Sequence, residues 1–132
     1  MFSLIVHTDA EQDLEGLWSS DAKAAATILA FLEELGGDQD LLDRLTQHDY
    51  GHRKDAAIHV SKWFEFWNKG KDLWRLKIWS LEREGRQYRV IYAYVPSRRE
   101  YQILAIAPRD FDYDIHHPLS QRLLRAYQDI AG

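Results

Sequence analysis

The chain predicts an α+β fold, in which a small antiparallel sheet packs against N-terminal helices and one C-terminal helix. Three observations carry that prediction. Apolar residues recur at helical spacing over the first third, three segments after Leu73 alternate with a period of two, and a Pro118-started stretch returns to helical spacing. Residues 2–7 alternate weakly and predict a short first strand. Asp9 is the expected N-cap, with Gln12 at the N3 position of a capping box, for a helix through about Trp18. Asp21 is the expected cap of a second helix, Ala22–Leu35, whose Ala24, Ala25, Ile28, Leu29, Leu32 and Leu35 form an apolar stripe that Gly36-Gly37 ends. Asp40–Leu45 adds a turn or two with Leu41, Leu42 and Leu45 inward. Ile58–Trp67 reads either as a strand or as a short helix, because Trp63, Phe64 and Trp67 fit helical spacing while Val60, Lys62 and Phe64 do not decide between the two. The predicted strands follow at Leu73–Trp79, Gln87–Val95 and Glu100–Ala107, and a helix runs from Pro118 to about Ile130.

With 132 residues, 45% of them hydrophobic and five tryptophans, the chain is expected to bury one core as a single domain spanning 1–132. It has no cysteine, which excludes disulfides and cysteine-based metal sites and suits a reducing cytoplasm. The N-terminus lacks a basic region followed by a long apolar run, so no signal peptide is expected, and no segment has the length of a membrane span. The net charge of −4 conceals a division: residues 1–50 carry −9 and residues 51–132 carry +5. An anionic ligand responds to the local field of a cleft, so the basic strands matter more than the total.

Along the first strand of the meander, Trp74, Leu76 and Ile78 share one face and Arg75, Lys77 and Trp79 the other. A three-residue hairpin loop, Arg83-Glu84-Gly85, with Gly85 in the left-handed region, pairs 79 with 89, 77 with 91 and 75 with 93. Arg89 then joins Arg75 and Lys77. A one-residue slip would send it to the opposite face. Tyr88, Val90, Tyr92 and Tyr94 fall on the core face. The alternative is that these cations are simply the solvated side of a half-buried sheet.

At these residues, namely Leu73-Trp74-Arg75-Leu76-Lys77-Ile78, Tyr88-Arg89-Val90-Ile91-Tyr92, Ile103-Leu104-Ala105-Ile106 and Pro108-Arg109-Asp110, the sequence resembles the RelE/ParE superfamily of type II toxin–antitoxin toxins. The resemblance covers roughly the last half of the chain. It implies a toxin neutralised by a cognate antitoxin protein. It also implies either cleavage of mRNA on the ribosome, as in the RelE-like branch, or binding to DNA gyrase without catalysis, as in the ParE-like branch. In the RelE-like branch, two cations on one strand, an Arg on the next, an Arg past the last strand and a nearby Tyr make the active site. The matching positions are Arg75, Lys77, Arg89, Arg109 and Tyr113. Arg75 stands where that branch commonly carries Lys, and a guanidinium stays charged and serves the phosphate. The low pI also departs from the usually basic toxins.

Cleavage without a metal or other cofactor would use the RNA 2′-hydroxyl as nucleophile. Lys77 and Arg89 are the expected clamps on the phosphate oxygens, Arg109 the stabiliser of the leaving oxygen, and Tyr113 a stacking or proton-transfer group. Trp79 is a candidate RNA-stacking platform and His116 a candidate acid or base. His48 and His52 have metal-compatible spacing only if helical, which Gly51 opposes. Asp110, Asp112 and Asp114 alternate without the glycine and terminal glutamate of a calcium loop.

Overall fold

In the computed structural model of the chain, which describes residues 1–53, 56–108 and 110–131, five strands form one sheet. These are β1 (Ser3–Val6), β2 (Ile58–Lys62), β3 (Leu73–Ile78), β4 (Arg89–Val95) and β5 (Glu100–Ala107), in the order β1-β5-β4-β3-β2. Only β1 runs parallel to its neighbour, pairing Ser3 with Glu100 and Val6 with Ile103. The helices are α1 (Thr8–Ser20), α2 (Ala22–Gly36), α3 (Gln39–Arg44), α4 (Phe64–Trp67), α5 (Trp79–Arg83) and α6 (Pro118–Ala131). The α+β layout is as predicted. No helix among the described residues is long and apolar enough to cross a membrane.

Local chemistry explains where the elements begin. His7, not Asp9, caps α1: its Nδ1 accepts from the Asp9 N–H at 3.1 Å. Asp9 consequently lies in the first turn, where a carboxylate favours the helix dipole. Asp21 caps α2 as expected, accepting from the Ala24 N–H at 3.2 Å, and Asp38 caps α3 through the Leu41 N–H at 3.0 Å. Asp21 also holds Arg86 and accepts from the Tyr88 hydroxyl at 3.2 Å, tying the helical layer to the start of β4. The ambiguous stretch Ile58–Trp67 is both things in succession, a strand through Lys62 and a helical turn from Phe64.

The β3–β4 register differs from the expected one by two residues. Leu73 pairs with Ala93, Arg75 with Ile91 and Leu76 with Val90. The cause is α5: residues expected to extend the strand and form a tight hairpin instead coil into a helical turn. Gly85 closes that turn at φ +75, donating to the Glu82 carbonyl while the Arg86 N–H reaches the Leu81 carbonyl. A slip of two preserves the facing of every side chain, so Arg75, Lys77 and Arg89 still share a face.

Both faces are partly covered. Trp74, Leu76, Ile78, Val90, Tyr92, Tyr101 and Ile103 meet α1, α2 and α3 in the larger core. Leu73, Ile91, Ala93, Ala105 and Ala107 meet Trp63, Phe66, Leu123 and Ala126 in a second. A bulge between β4 and β5, where Ile91 opposes Ala105 but Tyr92 opposes Ile103, leaves Leu104 extra and lets Leu104 and Ala105 enter the same core. Arg122 of α6 reaches past β5 to Asp13 of α1 with contacts of 2.9 and 2.7 Å, and the same carboxylate accepts from the Ile106 N–H at 3.0 Å.

That clamp is shielded at both ends, with 29% and 20% of the two side chains exposed. Asp13→Ala strips a guanidinium and a sheet N–H of their acceptor. It is expected to lower the unfolding free energy by roughly 2–3 kcal/mol, measured by urea denaturation.

Candidate functional site

Alternation along β2 and β3 sets the site. Ile58 and Val60 enter the larger core, so His59 and Ser61 face the other way. The antiparallel register puts His59 opposite Lys77 and Ser61 opposite Arg75. Arg89 stands on the adjacent strand, and Tyr113 closes the side toward α6. These residues, with Leu76, line an open cleft of about 200 Å³ on the half of the second face that α4 and α6 leave bare. That is below the roughly 300–1,000 Å³ of small-molecule pockets and suits a short charged group such as a phosphodiester.

Each cation is held by a different neighbour. The Arg75 guanidinium lies 4.4 Å over the Tyr113 ring. Lys77 lies 4.8 Å over the Trp79 ring. Arg89 forms an ion pair with Glu82 of α5 and donates to the Tyr88 carbonyl at 3.1 Å. The Tyr113 ring also meets Trp63 at 5.1 Å and Phe111 at 4.8 Å, which hold it in place as the seat of Arg75. Burial raises the Tyr113 phenol above the usual tyrosine range against the pull of Arg75 and Arg89, which keeps it protonated at neutral pH. Tyr113 adopts φ +63, a left-handed conformation rare for a bulky residue and characteristic of places where function overrides backbone preference.

Of the expected site residues, Arg75, Lys77, Arg89 and Tyr113 converge, while Arg109 lies outside the described residues. Two expectations are corrected. Trp79 is no platform for RNA: it begins α5 rather than ending a strand, is 6% exposed, and donates its indole N–H to the Gly51 carbonyl at 2.8 Å. His116 is exposed and does not line the cleft; its N–H caps onto Asp114 at 2.9 Å in a turn leading to α6.

Sequence reasoning missed His59 and Ser61. The His59 ring lies parallel to Trp79, 5.8 Å between centroids, and its Nε2 is 3.1 Å from Asp49 Oδ1. That hydrogen bond holds the Asp49 carboxyl below its usual range. Asp49 itself sits at φ 66, in the left-handed region. Next to it the backbone of Gly51, at φ +78, passes so close to the Ile58 carbonyl that a methyl group has no room.

Two outcomes follow from this geometry. Glu82→Gln releases Arg89 and is expected to tighten binding of a short RNA about fivefold, near 1 kcal/mol, by fluorescence anisotropy; the gain disappears in Glu82→Gln/Arg89→Ala. Gly51→Ala is expected to cost about 2 kcal/mol or more of stability in urea and to shift tryptophan emission, because the loop seating Trp79 is displaced.

No family model matches the chain, and no curated protein or solved structure matches it either.

Proposed function

We propose that this chain is the toxin of a type II toxin–antitoxin system, a ribosome-dependent mRNA endoribonuclease of RelE/ParE type acting in the cytoplasm and silenced by a cognate antitoxin protein. The observation that carries the reading is the convergence of Arg75, Lys77 and Arg89, from two adjacent strands, with Tyr113 in one open cleft. Cleavage by 2′-hydroxyl attack forms a phosphorane whose added negative charge needs fixed positive partners in place before reaction. Arg75 and Arg89 present guanidinium groups whose paired N–H donors match phosphate oxygens. An ammonium is by its chemistry a stronger acid than a guanidinium, which makes Lys77 the donor for the departing 5′-oxygen. Glu82 holds Arg89 until the substrate phosphate displaces it, so binding of RNA is expected to weaken with salt.

A second reading has one observation behind it. With Arg89 already paired to Glu82 and an acidic first half, the chain also suits a non-enzymatic RelE/ParE-type protein that binds a protein target such as DNA gyrase.

Induced expression separates the two. Wild type is expected to arrest growth and create new in-frame mRNA 5′ ends. Lys77→Ala/Arg89→Ala, shown folded by circular dichroism, is expected to lose on the order of 100-fold or more in cutting and to be tolerated. Cutting by the folded double variant overturns the site, and arrest without cuts transfers the reading to a protein target.

A further inference from the structure

We propose that His59 is the general base that takes the 2′-hydroxyl proton and that Asp49 is its positioning residue. This deepens the ribonuclease reading and rests on it. The lining of the cleft leaves few alternatives. A guanidinium has no lone pair to offer, and neither does the ammonium form of Lys77. The Tyr113 phenol is kept protonated, and a serine hydroxyl is far too weak a base. Among the described residues of the lining, imidazole is the one side-chain type that exchanges a proton near neutral pH. Glu82 is the nearest rival, but it does not line the cleft and its carboxylate is engaged by Arg89.

The geometry around His59 is that of a positioned ring rather than a free surface histidine. An ionised carboxylate only accepts, so Asp49 Oδ1 at 3.1 Å from Nε2 assigns the ring hydrogen to Nε2 and leaves Nδ1 as acceptor. Trp79 fixes the ring plane from one side, at 6° from parallel, and Gly51 in turn fixes Trp79. Only 17% of the His59 side chain is exposed. Among the described residues, the charged and titratable groups facing it are Asp49, with His48 and His52 around that carboxylate, Lys77 directly across on β3, and Arg75, Arg89 and Tyr113 further along the cleft.

In the step, the 2′-O–H bond breaks, its proton goes to His59 Nδ1, and the 2′-oxygen bonds to phosphorus. The P–O5′ bond breaks, its electron pair leaves with the 5′-oxygen, and that oxygen takes a proton from Lys77. His59 then releases its proton to water and Lys77 recovers one. The products are a 2′,3′-cyclic phosphate and a 5′-hydroxyl, with no co-reactant.

The test uses the full-length chain on mRNA in programmed ribosome complexes, with single-turnover rates from pH 5 to 8 for wild type, His59→Gln, His59→Ala and Asp49→Asn. His59→Gln is expected to slow cutting by about 100-fold or more, with complex affinity within threefold, and to lose the acid limb of the profile. Asp49→Asn is expected to slow cutting about tenfold and keep that limb. Added imidazole is expected to restore part of the rate to His59→Ala, a response that a merely structural histidine does not give. Cutting by folded His59→Gln within threefold of wild type, or an unmoved acid limb, overturns the inference alone. No cutting by wild type overturns the ribonuclease reading and the inference with it.

Discussion

Everything on the second face of the sheet depends on the parity of the β3–β4 pairing. Side chains alternate, so one register class puts Leu73 and Arg75 beside Ala93 and Ile91, with Lys77 and Arg89 on the same face, and the other turns three cations toward the helices α1 and α2. Burying those charges without partners would cost several kcal/mol each, which removes that class from competition. The apolar face therefore selects the cleft. Trp74, Leu76, Val90 and Tyr92 must meet the helical layer, and the cations follow on the opposite side.

The second face is divided rather than open. α6 and α4 take its lower half, and the cleft occupies the part that they do not reach. Because Leu73 and Arg75 follow one another on the same face of β3, the edge of the second core adjoins the floor of the site. The Asp13–Arg122 contact keeps α6 and α1 in fixed relation across β5, so both layers press on the same strands. Tyr113 belongs to both worlds: it packs with Trp63 and Phe111 on the core side and seats Arg75 on the other.

Most of this could be read in advance where a local rule dominates. The helices α2 and α6, the Asp21 cap and the shared face of Arg75 and Lys77 follow from apolar period and capping chemistry. The expected facing of Arg89 rests on a hairpin that α5 replaces, and it survives because the register moves by an even number. The two-residue change in register could not be read in advance, because Trp79, which starts the helical turn, is anchored to Gly51, 28 residues earlier, a contact outside any local pattern. The bulge at Leu104 breaks strict alternation for the sake of the second core. His59 lay in a segment whose period was ambiguous, and its partner Asp49 comes from a loop ten residues away, a pairing that no local pattern encodes. Alternation of Ile58 and Val60 was the available signal for β2 and its outward-facing histidine.

The three cations have a consequence for how such a chain changes over generations. They repel one another across a bare patch, and each is steadied by a separate device, the Tyr113 ring, the Trp79 ring or the Glu82 carboxylate. Neutral residues at positions 75 and 77 would relieve the repulsion, whereas one at position 89 would strip the shielded Glu82 carboxylate of its cation. Keeping the patch thus costs electrostatic repulsion that a neutral surface would not carry. A lineage in which selection for the patch lapses would drift toward sturdier, inert descendants, with the sheet and helices intact and the charges at positions 75 and 77 among the first features to go.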